Sequence, residues 1–234
     1  MAEQRSDWGR RRNRIFSAFQ NDPVSLVDVF GLLYAGTPYG TSTYGIGTSV
    51  HDGFAWIGMK VAATYSGYHL GIHAMDHADG VTPGDWTLSS SESEAAKAQT
   101  EQTATDVATG SEYEKWLKQY LKDAYYGSPS GSYALHIPDR EFHYKKFSDG
   151  YYAFGDARIK HEGTVGVCKL VITKITIKAK VTLTDRYSFA NYRSYGTTIL
   201  NQPTAIGYRL EMAGFIKPFR VNGKWDKDDY YLYW

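Results

Sequence analysis

The sequence is poor in cysteine and carries no excess of charge of either sign. Its 234 residues include one cysteine, Cys168, which excludes both an internal disulfide and a zinc site built from cysteines. Cys168 lies in a strand-like alternating run, which predicts a buried, unreactive thiol. The 26 basic residues are balanced by 25 acidic ones. This balance argues against nucleic acid as a partner, because nucleic-acid-binding proteins usually carry a basic excess.

Long apolar runs are also missing. The basic N-terminal cluster is not followed by the apolar segment of a secretory signal, so we expect a chain made in the cytoplasm and exported by a non-classical route. The most apolar window, residues 53–75, is interrupted by Lys60, histidines and glycines. It predicts a packing segment rather than a membrane span.

Aromatic residues, in contrast, are abundant. The chain has 20 tyrosines and 6 tryptophans, side chains that combine a large apolar body with a polar group. This excess favours a β-rich fold, a surface that contacts sugar or lipid, or both.

The order of helical, loop-like and alternating segments predicts an α+β protein. In it, an N-terminal helical and loop-rich region packs on a C-terminal antiparallel β-sheet or half-barrel. We expect residues 1–20 to form a flexible basic start. Residues 21–110 are rich in glycine, alanine and tyrosine, with a helix at about 52–77; the polar stretch 86–110 is a linker or an exposed helix. Residues 111–234 combine one helix with the antiparallel β activity domain.

Two elements of the C-terminal half have clear local signals. Residues 111–127 show helical apolar spacing behind a possible cap, Ser111, and end at Gly127. The run "KLVITKITIKAKVTLT" alternates apolar with polar residues, as a half-buried strand does. Because an uninterrupted strand of this length is unusual, we expect a bend or hairpin near Thr173–Lys174.

This run ends in "LTDRYSFANYR", and it is preceded by "DGYYAFGDARIKHEGTVGV", a strand with a predicted Glu-Gly-Thr turn. Over roughly residues 131–222 the order of these features resembles the activity domain of colicin M and its relatives, bacteriocins that degrade the lipid-linked peptidoglycan precursor. Asp185 matches the first essential acid of that family. Arg186, Tyr187 and Phe189 match its lysine, tyrosine and phenylalanine.

The match has two departures. Ser188 stands where the family has a second acid, and no histidine follows His161 in this chain. Arg193 matches the family's arginine only if the intervening loop is shorter here. If the edge is catalytic, it must recruit a replacement for the missing histidine, and His161 is the candidate.

The resemblance implies hydrolysis of a phosphoester of the lipid-linked precursor in a reaction that uses Mg²⁺. Asp185 would be the general base or a Mg²⁺ ligand, and Tyr187 would donate to the leaving oxygen. Arg186 and Arg193 would hold the diphosphate, with Phe189 also contacting the substrate. Glu162 matches a turn position of the family, where we expect a structural role.

A separate histidine cluster offers a different metal site. His69, His73 and His77 in "YHLGIHAMDHADG" follow a spacing of four residues, and Asp76 and Asp79 lie close by. Two imidazoles four residues apart on a helix are a zinc geometry. The alternative is that these histidines are polar packing groups.

A second resemblance is carried by "NDPVSLVDVFGLLY" at 21–34, which is similar to the junction that precedes the toxin part of recombination-hotspot polymorphic toxins. Together the resemblances imply an interbacterial toxin that acts in the periplasm of its target, contacts the membrane surface and is matched by an immunity protein. Two other classes stay open. One is a non-enzymatic effector in which residues 53–77 insert into the membrane; the other is a structural or carbohydrate-binding β module of a phage or secretion particle.

Overall fold

A computed structural model describes residues 46–80, 84–189, 202–212 and 214–234. The chain divides into two compact units, one of residues 1–83 with 188–218 and one of residues 84–187 with 219–234. The predicted flexible start and the segment 21–34 lie outside the described residues.

The second unit is built on an open sheet of six strands. These are β1 (Trp86–Thr87), β2 (Ala104–Asp106), β3 (Gly131–Tyr144), β4 (Asp156–Lys169), β5 (Thr173–Tyr187) and β6 (Phe219–Tyr233), in the order β1-β6-β5-β4-β3-β2. The short strand β1 runs parallel to β6, and the other neighbours are antiparallel.

Three helices of this unit, α3 (Ser90–Thr103), α4 (Tyr113–Tyr125) and α5 (Asp149–Ala153), belong to one face of the sheet, which we call the inner face. Thr100 of α3 hydrogen-bonds the hydroxyl of Tyr144 on β3 at 2.8 Å, and the Tyr233 hydroxyl on β6 donates to the Lys118 carbonyl of α4 at 2.7 Å. Helices packed on a mostly antiparallel open sheet confirm the predicted α+β class.

Helix α3 occupies most of the polar stretch for which a linker and an exposed helix were both open. Its start is a capping box: the Ser89 hydroxyl accepts from the Glu92 backbone N–H, and the Glu92 carboxylate accepts from the Ser89 N–H. The helix is not wholly exposed, since Ser93, Ala96 and Thr100 are buried. Small side chains let this helix approach the sheet closely, so its inner side has no pattern of large apolar residues.

Helix α4 follows the predicted apolar spacing, but its cap differs. The helix begins at Tyr113, one residue after Glu112, and no side chain caps it, so the predicted cap Ser111 was wrong. Its inner side buries five residues: Tyr113, Trp116, Leu117, Leu121 and Tyr125.

The long alternating run forms strand β5, and the expected hairpin turn lies at 170–172, just before it. The Glu-Gly-Thr turn was wrong, because β4 continues through Glu162 and Gly163. A Cβ at Gly163 would lie 2.0 Å from the Lys178 carbonyl oxygen, so glycine here serves close strand contact rather than a turn. The burial predicted for Cys168 was also wrong: Cys168 is exposed, because it alternates with the buried Val167.

The first unit contains α1 (Ile46–Tyr65), α2 (His69–Ala78) and α6 (Gln202–Met212). The single helix predicted at 52–77 is divided near Gly67, whose positive φ of 72° suits glycine. Arg209 of α6 holds the buried Asp52 of α1 through two hydrogen bonds of 2.7 and 2.6 Å. Within the described residues no helix is long and apolar enough to cross a membrane.

Candidate functional site

The segment that resembles the toxin family begins with the last three residues of β5. Asp185, Arg186 and Tyr187 pair with Val221, Arg220 and Phe219 at the start of β6. Strand alternation turns Asp185 and Tyr187 to the inner face and Arg186 to the opposite, exposed outer face. The structure therefore separates two side chains that the sequence analysis had assigned to one substrate.

Asp185 is a partly buried carboxyl group among buried neighbours. It faces the same side as Leu183 and Tyr187, and it lies opposite Val221. Burial raises the pKa of Asp185 well above its ordinary value; a hydrogen bond from the Arg186 backbone opposes this rise, and the nearby carboxylates of Asp156 and Glu141 add to it. A carboxyl group in such a setting holds its proton at higher pH than an exposed one and is suited to proton transfer.

The aromatic residues of the segment serve packing. The Tyr187 ring is buried and stacks on Phe219 with 5.0 Å between ring centroids. The Phe189 ring lies edge-on to Trp56 at 5.9 Å and against Gly207, where a Cβ would come within 2.6 Å of it. These contacts account for the two aromatic positions without a substrate, so the roles predicted for them stay predictions.

Ser188 stands where the family that this segment resembles has an acid, and its side chain is hydrogen-bonded to an acid. Its hydroxyl donates to the Glu211 carboxylate at 2.9 Å, and the backbone N–H of Phe189 donates to the same carboxylate at 2.6 Å. Glu211 comes from α6, far along the sequence, and no pattern in the sequence pointed to it. Arg193 lies outside the described residues.

His161 shares the inner face with Asp185 but does not contact it. His161 pairs with Val181, four residues before Asp185, which puts about 13 Å between the two positions along β5. The His161 ring is 2% exposed, and its Nε2 lies 2.7 Å from the Tyr113 hydroxyl. Burial and the charge of Lys227 lower the pKa of His161 to about 4, so the ring is neutral at neutral pH.

A polar cluster on the inner face was missed by the sequence analysis. Lys227 of β6 is 2% exposed, and its ammonium group binds the carboxylates of Glu101, Glu114 and Asp229. Burial alone would lower the pKa of Lys227, but hydrogen bonds to Asp229, Glu101 and Glu114 outweigh it and raise that pKa. We call these four residues the Lys227 cluster. The alternation of "KWDKDDYYLYW" contained the signal, because Lys227 has the same parity as the buried Trp225.

The Lys227 cluster is also the one group of carboxylates, among the residues the structure describes, that is close enough to hold a metal ion. Its three carboxylates, however, surround the ammonium group of Lys227. A divalent cation would have to share the site with that positive charge, which like-charge repulsion opposes. The Lys227 cluster is therefore a poor fit for the predicted Mg²⁺. Mg²⁺ binding by Asp185 stays a prediction.

The predicted histidine site is not assembled. His69, His73 and His77 lie along α2, with His69 and His73 exposed, and they do not belong to any group of potential ligands near enough to bind one ion within the described part of the chain. The neighbouring acids are engaged elsewhere: Asp76 and Asp79 both bind Lys60, and Asp79 also accepts from the Trp56 indole at 2.7 Å.

Glu162 is exposed on the outer face, where its carboxylate forms an ion pair with Lys160, and its predicted structural role stays a prediction. Comparison with known proteins adds no further assignment. No family model matches the chain, and neither a curated protein nor a solved structure is significantly similar to it.

Proposed function

We propose that the chain is an antibacterial effector that hydrolyses a phosphoester of the lipid-linked peptidoglycan precursor, with Asp185 as the proton-transfer group. The observation that carries the proposal is the state of Asp185. It is an inner-face carboxyl group with a raised pKa, partly exposed at the end of β5, at the position that matches an essential acid in the colicin M-like segment.

The chemistry that Asp185 supports is acid catalysis of phosphoester cleavage. Water attacks the phosphorus atom, the bond from phosphorus to the leaving oxygen breaks, and Asp185 gives its proton to that oxygen. The carboxylate then recovers a proton from the attacking water. Of the two roles predicted for Asp185, the raised pKa favours proton transfer over metal binding.

The direct test is loss of purified lipid-linked precursor on incubation with the full chain, with Mg²⁺ and with chelator. We expect wild type to consume the precursor and Asp185→Asn, which cannot transfer the proton, to lose at least about a hundredfold in rate. Asp226→Asn is the matched control, because Asp226 is an exposed acid on the outer face of the neighbouring strand. Equal rates for wild type and Asp185→Asn would eliminate the enzymatic proposal.

The site of action gives a second test. A precursor-degrading toxin kills from the periplasm, where the lipid-linked precursor is displayed, and we expect a periplasmic form of the chain to stop growth while a cytoplasmic form does not. Asp185→Asn should be harmless in both compartments. Toxicity from the cytoplasm alone would contradict the proposed substrate.

A second candidate function, contact with the membrane surface, is favoured by helix α1. Its large apolar residues Phe54, Ile57, Val61 and Tyr65 are exposed, Ile57 to 56%, and their spacing of three and four residues puts them on one side of the helix. An exposed apolar stripe of this kind suits the boundary between lipid headgroups and acyl chains. Surface contact also suits an enzyme whose substrate is lipid-linked.

This candidate is tested by flotation with vesicles of phosphatidylethanolamine and phosphatidylglycerol. The full chain should float with the vesicles, and Ile57→Asp should reduce the bound fraction several-fold because it places a charge in the stripe. Leu232→Asp is the control, since Leu232 is an exposed apolar residue of β6 in the other unit. Equal losses for both variants would remove α1 as the contact.

A further inference from the structure

We propose that the outer face of the sheet binds a diphosphate group through Arg186 and Arg220, with Arg158 alongside. The proposal does not depend on catalysis by Asp185, whose side chain faces the other side of the sheet. Arg220 and Arg158 had no role in the sequence analysis.

The first observation is the register of the two strands. Arg186 of β5 lies directly opposite Arg220 of β6, and both side chains are exposed. Directly opposed residues of an antiparallel pair have Cβ atoms about 5 Å apart. Two guanidinium groups at this spacing can each take one phosphoryl group of a diphosphate in a bidentate manner.

The second observation is that no acidic side chain among the described residues neutralises the charge of this arginine pair. Neither Arg186 nor Arg220 forms an ion pair with any residue that the structure describes. Like charges in directly opposed positions destabilise a sheet, so the arrangement costs stability unless an anion lies between them. Lys178, one of the exposed lysines of the same face, differs because Asp228 lies 3.7 Å from it.

Residues next to the arginine pair on the same face add further hydrogen-bond donors to the site. The next row on the same face places Thr184 between Arg158 of β4 and Asn222 of β6. Thr184 and Arg158 are exposed and offer a hydroxyl and a third guanidinium group beside Arg186. The site is therefore a block of donors on three adjacent strands at the end of the sheet.

Two acids lie near this block, on its β3 side. Glu141 faces Arg158 across the β3–β4 pair, and the Asp156 carboxylate is bound by Nδ1 of His143. The arginine pair on β5 and β6 is on the other side of Arg158. These acids restrict the anion to the β5–β6 side and explain why the predicted ligand is a compact diphosphate rather than an extended polyanion.

Titration calorimetry with the full chain tests the site. We expect pyrophosphate to bind more tightly than inorganic phosphate, and either Arg220→Gln or Arg186→Gln to weaken pyrophosphate binding about tenfold or more, the loss expected for charge-assisted hydrogen bonds. Lys178→Gln removes the same charge from the same face and should leave the affinity within about twofold. Circular dichroism establishes that each variant is folded.

Two outcomes would overturn the proposal. One is that pyrophosphate does not bind to wild type, and the other is that Lys178→Gln loses as much affinity for pyrophosphate as the arginine variants do. Asp185→Asn should bind pyrophosphate as wild type does, even where it cannot hydrolyse the lipid-linked precursor. If wild type binds pyrophosphate but does not hydrolyse the lipid-linked precursor, only the proposed function is wrong. If wild type hydrolyses the precursor but does not bind pyrophosphate, only the diphosphate site is wrong.

Discussion

The inner and outer faces of the sheet differ in whether their charged side chains have partners within the protein. On the inner face, the ammonium group of Lys227 is matched by three carboxylates and Nε2 of His161 by a tyrosine hydroxyl. On the outer face, Arg186 and Arg220 oppose each other in exposed positions without such partners among the described residues. The same strand β5 contributes to both faces, so the contrast arises from burial and not from local sequence.

The difference follows from the cost of removing charge from water. A buried charge without a partner loses several kcal/mol of solvation, which explains why the buried Lys227 on the inner face is surrounded by three carboxylates. Burial raises the pKa of Asp185, which widens the pH range over which its carboxyl group is neutral. Exposed charges lose little solvation, and the outer face can therefore present arginines without protein partners to a ligand.

The largest effect is expected at the centre of the inner face. Lys227→Met leaves the carboxylates of Glu101, Glu114 and Asp229 close together without their cation and should destabilise the protein by about 3 kcal/mol in urea unfolding. Lys178→Met, its counterpart on the outer face, should have no measurable effect because its pair with Asp228 is exposed and long. Similar losses in both variants would end the distinction between the faces.

The next effect is a dependence of stability on pH through His161. The pKa of His161 is lowered to about 4 in the folded protein and is 6.5 in the unfolded chain, so between these values the unfolded state binds more protons. Stability should therefore fall as the pH drops from about 6.5 to about 4, by about 3 kcal/mol in total.

Urea unfolding at pH 7, 6, 5 and 4 measures this term as the difference between wild type and His161→Gln, whose side chain does not titrate. His136→Gln, at an exposed position of β3, is the control and should follow wild type at every pH. A constant difference between wild type and His161→Gln across this range would show that His161 titrates normally.

Asp185 should make stability depend on pH in the opposite direction to His161. Because its pKa is raised by burial, the folded state binds more protons than the unfolded chain between the two pKa values, and the contribution to stability is lost as the pH rises through the folded value. The free energy of unfolding of Asp185→Asn, measured relative to wild type, should therefore be higher at pH 8 than at pH 4. Asp226→Asn should show no such change between the two pH values. An equal change in Asp226→Asn would assign the effect to net charge.

The smallest effect is expected for the arginine pair without ligand. Arg220→Gln removes one of two opposed like charges and should raise the urea midpoint slightly in buffer free of phosphate and sulfate. Added pyrophosphate should stabilise wild type more than the variant. A midpoint that drops in Arg220→Gln would indicate that Arg220 has a structural partner.

Several elements could be predicted because their signals are local. The period-2 alternation of β5 and the apolar spacing of α4 appear in consecutive residues, and both elements were found. Helix α3 was left open because it contacts the sheet through alanine, serine and threonine, which a hydrophobic pattern does not register. The Glu-Gly-Thr turn was wrong because Gly163 serves close packing between strands, and a glycine gives the same signal in both settings.

The candidate site shows the same limit more sharply. The local alternation is enough to predict that Asp185 and Arg186 end an amphipathic strand and therefore face opposite sides of it. Strand pairing and helix packing establish the rest: which side the helices cover, that Arg186 lies opposite Arg220, and that Lys227 is surrounded by acids from α3, α4 and its own strand. Pairing between distant strands and helices creates these neighbours, and the sequence gives no local periodicity for contacts that are more than a hundred residues apart along the chain.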